Sequence, residues 1–305
     1  MKIQRLLTVL LLITAMSGCI REDLDDCPTG HNVVLHFNYV YQGSNNLFGQ
    51  RVENVEIIIF DMDGNFVTSF FSETSDIDES GAAFSLPPGT YRIVCWGNIF
   101  THTDVQEGSN ITAARVYHTG RSQGEADNGD PLFYAPRIRN LNDPDADILT
   151  ITVPERGSVE KLIDFTAAHK TVEVVVTGFS DNGNITPQIE FTNQPSAYDF
   201  FLRTIPGQPM DYFQDSQVET RAQNMAVATF NLPLFERDNT INIRIIRPST
   251  GAVIHTISLK QYLIDNNITL THGDWDFISI LVVFNDLGAV ISVKPWDGTN
   301  VSPGS

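Results

Sequence analysis

The sequence is poor in cations, cysteine and helical pattern, and each shortage narrows what the protein can be. Its 305 residues hold 19 Lys and Arg against 37 Asp and Glu, a formal charge of −18. That balance argues against a nucleic-acid backbone or an anionic lipid surface as partner, because both need Lys and Arg to displace counterions. It fits a protein exposed outside the cell or one that meets a basic partner. Seven His residues (His31, His36, His102, His118, His169, His255 and His272) show no metal-ligand spacing, so neither a zinc site nor any other cofactor is expected. There is no Gly-x-Ser-x-Gly elbow, no P-loop and no Gly-x-Gly-x-x-Gly, and no catalytic residue is expected.

Long apolar runs are also missing. The longest near the start, Leu6 to Ala15, has ten residues, and a bilayer core about 30 Å thick needs roughly 20. With Lys2 and Arg5 before it and Ser17-Gly18-Cys19 behind, the stretch reads as a signal peptide over residues 1–18. Small residues before Cys19 resemble the bacterial lipobox, with Met16 where Leu is usual; the resemblance implies that Cys19 is acylated and becomes the first residue of the mature chain. Removing residues 1–18 takes away two cations, so −18 becomes −20. Residues 19–30 are then an acidic tether, since the run Ile20 to Asp26 contains Glu22, Asp23, Asp25 and Asp26 and repels itself. An acidic cluster behind a lipidated Cys also resembles the surface-export signal of Bacteroidetes lipoproteins. Cys27 and Cys95 remain, and either pair in an oxidising compartment or leave Cys95 as a buried thiol in an apolar strand.

What the sequence does have is strand pattern. Val33, Leu35, Phe37, Tyr39 and Tyr41 alternate with polar residues, as a half-buried strand requires. Val55 to Phe60 is apolar apart from Glu56 and leads through Asp61-Met62-Asp63-Gly64-Asn65 into Phe66 to Phe71, the signal of a hairpin. Leu86 to Thr90 is a turn that launches Tyr91 to Trp96. Residues 101–128 lack a clear period and read as a long loop with short pieces of structure. Further strands are expected at 131–135, 148–153, 171–177, 188–192, 226–232, 240–247, 253–259, 275–284 and 290–293, with one short helix at 260–267. Many short strands with few helical periods predict an all-β chain of two Greek-key β-sandwich domains in tandem, over 31–156 and 157–305.

Two groups of residues invite a chemical reading. Asp61 and Asp63 at the end of an apolar strand look like the nucleophile motif of haloacid-dehalogenase-type phosphatases. That chemistry needs a parallel sheet with helical crossovers, which this pattern does not provide, and Asn65 stands where the family has Thr. A hairpin turn explains the same string. Trp96, Trp275 and Trp296 could form a sugar-stacking platform, which would make the protein a surface glycan-binding lipoprotein; each also suits a sandwich core.

The lipobox, the segment Cys19 to Pro28, the alternating strand with Phe37 and Tyr39, the string from Val55 to Phe66, and Pro88-Gly89-Thr90-Tyr91 leading to Cys95-Trp96-Gly97-Asn98 together resemble the FimB/Mfa2 family of fimbrial subunit and anchor proteins in Bacteroidales. The resemblance implies a pair of transthyretin-like sandwiches, a place at the cell-proximal end of type V fimbriae, attachment to the outer membrane through Cys19, and fimbrillin shaft subunits as partners. Shaft subunits of such fimbriae exchange strands after an N-terminal strand is cut away. Here such trimming would release the tether, so the strand at 33–41 is expected to stay. The tail 297–305, rich in Gly, Pro and Ser, would make a poor donor strand.

Overall fold

The computed structural model describes residues 30–41, 43–77, 81–119, 125–126, 128–139, 143–207, 209–218, 225–270, 277–285 and 288–293. The chain is all-β. Strands β1 to β12 are Val33–Asn38, Asn54–Asp61, Phe66–Glu73, Ala82–Phe84, Gly89–Gly97, Thr103–Gln106, Arg115–His118, Glu125–Ala126, Phe133–Ala135, Leu149–Val153, Val159–Asp164 and Thr166–Ala167. Strands β13 to β22 are His169–Thr177, Gln188–Gln194, Ala197–Asp199, Met210–Asp215, Gln217–Val218, Met225–Pro233, Asn242–Arg247, Ala252–Ser258, Phe277–Asn285 and Gly288–Val293. The expected short helix is present at Leu259–Asp265, where the Ser258 hydroxyl accepts from the Gln261 N–H.

The first sandwich packs the three-stranded sheet β11-β1-β4 on a six-stranded sheet in which β12-β9-β5-β2-β3 run in order and β10 pairs with β5. Val33, Leu35 and Phe37 of β1 meet Val55, Ile57 and Ile59 of β2 and Ile93 and Cys95 of β5 in one core. β11 and β12 lie past the division expected at 156–157, yet β11 pairs with β1 and β12 with β9 in the sheets of the first sandwich. Nothing local marks this: β11 joins a strand more than a hundred residues earlier. The chain crosses to the second sandwich at β13. There the sheet β17-β18-β13-β21-β22 faces β20-β19-β14-β16-β8, with Val172, Val174, Phe191, Phe230, Ile243 and Ile280 in the core between them.

A third core joins the two. The outer face of the six-stranded sheet, with Ile58, Phe60, Val94 and Trp96, is covered by the small sheet β15-β7-β6 and by Tyr198, Phe200 and Leu202 from the second half. So the expected loop at 101–128 is in part a covering layer, with β6, β7 and β8 inside it. Asp199 shapes the turn that delivers Phe200: its carboxylate accepts from the Phe201 and Arg203 amides at 2.9 and 3.0 Å and pairs with the Arg203 guanidinium. Buried polar groups stitch the seam. Tyr198 donates to the Ala168 carbonyl at 2.7 Å, Tyr134 donates to the Phe200 carbonyl at 2.8 Å, and the Asn231 N–H donates to Asn128 Oδ1 at 2.8 Å.

Candidate functional site: a clamped first strand and a free edge

β1 follows the expected tether and sits in the middle of its sheet. It pairs in parallel with β11 from Val33↔Val159 to Asn38↔Asp164, and antiparallel with β4 from Val33↔Phe84 to Leu35↔Ala82. Beyond the end of β4 a side chain takes over as pairing partner: Asn46 accepts from the Tyr39 N–H and donates to the Phe37 carbonyl, both at 3.0 Å. Alternation along the strand buries Val33, Leu35, Phe37 and Tyr39, which is why β1 cannot leave without opening the core. Phe37 contacts the Phe48 and Phe165 rings at 5.2 and 5.5 Å, which fixes the same strand from the side. Cys19, the expected lipidation site, lies outside the described residues, as does Cys27. Cys95 is buried with a free thiol, and burial pushes that thiol far up.

The Asp61–Asn65 string is the tight turn of an antiparallel hairpin between β2 and β3. Gly64 has φ +83°, which a side chain would strain, and its N–H donates to the Asp61 carbonyl at 3.0 Å. The Asp61 carboxylate accepts from the Asn65 side chain at 3.0 Å and from the Asn65 N–H at 2.8 Å, and these bonds hold it below the usual carboxylate range. β2 is antiparallel to both its neighbours, β3 and β5. The two aspartates therefore serve a turn and do not stand at the mouth of a parallel sheet. Among the described residues no group of three or more His, Cys, Asp and Glu is placed to hold a metal.

Trp96 is wholly buried against Tyr134, Tyr198 and Phe200, so it belongs to the third core and offers no sugar platform. Trp275 and Trp296 lie outside the described residues. Of the exposed large apolar side chains, four (Met62, Phe66, Val67 and Phe71) lie together on the β2–β3 hairpin, and the others are scattered over the rest of the chain. β3 is the outermost strand of its sheet. Beside it Glu56 of β2 meets Asp104 of β6 and Glu107; burial first, then Glu107 and Asp104, push the Glu56 carboxyl up to about 7. Sequence reading missed this cluster. The available signal was charge: residues 52–91 contain no Lys or Arg at all.

The chain matches the model of the fimbrillin-A associated anchor proteins Mfa1 and Mfa2 over residues 24–302. Comparison with curated proteins finds no match. Among solved structures, a candidate polysaccharide-binding protein from Bacteroides thetaiotaomicron is similar with a TM-score of 0.66 at 13% identity, covering 87% of this chain and 96% of the other. A candidate adhesin from Bacteroides ovatus also reaches 0.66, at 10% identity, covering 87% and 94%. The fimbrial anchor protein Mfa2 from Porphyromonas gingivalis reaches 0.57 at 16% identity, covering 85% and 95%. At these identities the structures establish the shared fold, whereas the family model spans most of the sequence. The chain belongs to the family of fimbrillin-A associated anchor proteins Mfa1 and Mfa2.

Proposed function

We propose that this protein is a non-catalytic, lipid-anchored subunit of the outer membrane that holds or caps a fimbria. In this reading residues 1–18 are the signal peptide, Cys19 is acylated, residues 19–30 are a slack acidic tether, and fimbrillin shaft subunits are the protein partner. Family membership supports a fimbrial or adhesive role. The observation that carries the anchoring reading is the place of β1, paired on both sides and buried along one face. A chain tethered at Cys19 feeds its load directly into that strand, and a subunit that keeps its first strand keeps its tether.

Cys19→Ala tests the tether in the native cell. The expected result is loss of lipid labelling and transfer of the protein from the membrane to the soluble fraction; unchanged membrane retention overturns the anchor. Purification of the wild-type protein from membranes of fimbriated cells should recover shaft subunits, and recovery of none would remove the fimbrial role. The glycan-binding alternative loses Trp96 to the core.

A further inference from the structure

β3 has a neighbour on one side only. It pairs with β2 and, among the described residues, with no other strand. The Phe66 N–H donates to the Ser109 carbonyl at 3.2 Å, so a loop closes the first position of the edge. Natural edges are blunted by Lys, Pro or bulges; Phe66–Glu73 contains no Lys or Pro, and its one register shift, at Val67, leaves Thr68–Glu73 in regular pairing with β2. Instead Phe66, Val67 and Phe71 are exposed, Phe71 by 57%.

The surroundings carry one sign of charge. Residues 52–91 have eight acids and no Lys or Arg, and residues 93–114 have Asp104 and Glu107 and no Lys or Arg. Of the flanking cations, Arg92 pairs with Asp145, and Arg115 donates to the Thr112 and Ala114 carbonyls. Ser69 of β3 itself hydrogen-bonds Glu107 at 3.3 Å, which places that carboxylate against the strand. This field selects among occupants. The chain's own tether holds Glu22, Asp23, Asp25 and Asp26 and is repelled, and a second copy would bring the same acidic edge.

We propose that the β3 edge is the docking site for an extended Lys- or Arg-bearing segment of a partner protein, which adds as a strand beside Phe66–Glu73 and sets its cations against Glu56, Asp104 and Glu107. Main-chain bonds along the edge give the affinity, and Phe71 and Val67 give the incoming side chains an apolar floor. Its place in a fimbria rests on the anchoring reading, but the strand addition does not.

The test is amide exchange on the full-length mature protein with three short peptides as probes: alternating Val and Lys, alternating Val and Glu, and the Val-Lys composition interrupted by Pro. The first should slow exchange across Val67–Ser72 by about tenfold, and this protection should fade between about 0.05 and 0.5 M salt. The other two should leave β3 unprotected. Glu56→Lys with Glu107→Lys should turn the preference toward the Val-Glu peptide. No protection of β3 by the first peptide, protection confined to another edge, or equal protection by the Pro-interrupted peptide would each overturn the proposal. None of these outcomes touches the fimbrial role, which is decided by what purifies with the native protein.

Discussion

β2 and β21 are both central apolar strands, yet they are buried differently. In β2, Ile57, Ile58, Ile59 and Phe60 are all fully buried, so both faces are dry. In β21, Ile278, Ile280 and Val282 are buried while Phe277, Ser279, Leu281 and Val283 between them are half-buried. An unbroken apolar run marks a sheet covered on both sides, and alternation marks one covered on a single side. The difference lies in the third core, which β6, β7 and the Tyr198–Leu202 segment of the second half lay over the first sandwich.

The strongest way to break this contrast is Trp96→Ala. A large void in the third core should cost about 3–5 kcal/mol, and native-state exchange should show lost protection both at β5 and at Ala168 and Leu234. Loss confined to the first half would mean that the two sandwiches do not share that core.

Acid should act on the same seam. His118 is fully buried against Tyr198 and Tyr212, and burial pushes its pKa down to about 4. Between pH 4 and the ordinary value near 6.5 the unfolded chain takes a proton that the folded chain refuses. Stability is therefore full above about pH 6.5 and falls as pH drops, by up to about 3 kcal/mol at pH 4. His169, whose Nδ1 donates to the Leu132 carbonyl at 2.8 Å, is pushed to about 4 as well and adds to the fall. Urea unfolding across pH should flatten in His118→Leu.

Glu56 has the opposite sign. Its folded pKa of about 7 exceeds the ordinary 4.5, so between these values the folded chain keeps a proton that the unfolded chain releases. Its destabilising effect is complete above pH 7 and absent below pH 4.5. Glu56→Gln should thus stabilise at pH 8 by about 1–2 kcal/mol, after discounting for its partial exposure, and do nothing at pH 4. Ile280→Val should cost about 1 kcal/mol and slow-exchange loss should stay within the second sandwich. Phe71→Ser, on the open edge, should change stability by less than about 0.5 kcal/mol; a larger loss in thermal unfolding would mean that the edge is covered.

Much of this fold is written locally. The β2–β3 hairpin was legible because Asp61 and Gly64 are turn residues between two apolar runs, and β13 because Val172 to Val176 are dense in β-branched side chains. β11 was not, since Glu160 and Lys161 break its pattern and its partner is β1. β15 was not either: Ala197-Tyr198-Asp199 has no period, and only long-range pairing with β7 makes it a strand. Of the candidate site, Cys19 was read from a motif that lies outside the described residues. The acidic edge at β3 arises from carboxylates on β2, β6 and a loop that meet only after folding.

The parallel ladder between β1 and β11 has a mechanical meaning. A strand at an edge, pulled sideways, opens like a zipper, one rung at a time. β1 is entered from residue 30 and held on both flanks, so tension along its axis shears all of its rungs together. In the proposed anchoring role, the lifetime of the attachment under such loading would follow the rate of unfolding and not the equilibrium stability. A fold of modest stability then resists pulling for as long as β1 remains between its neighbours.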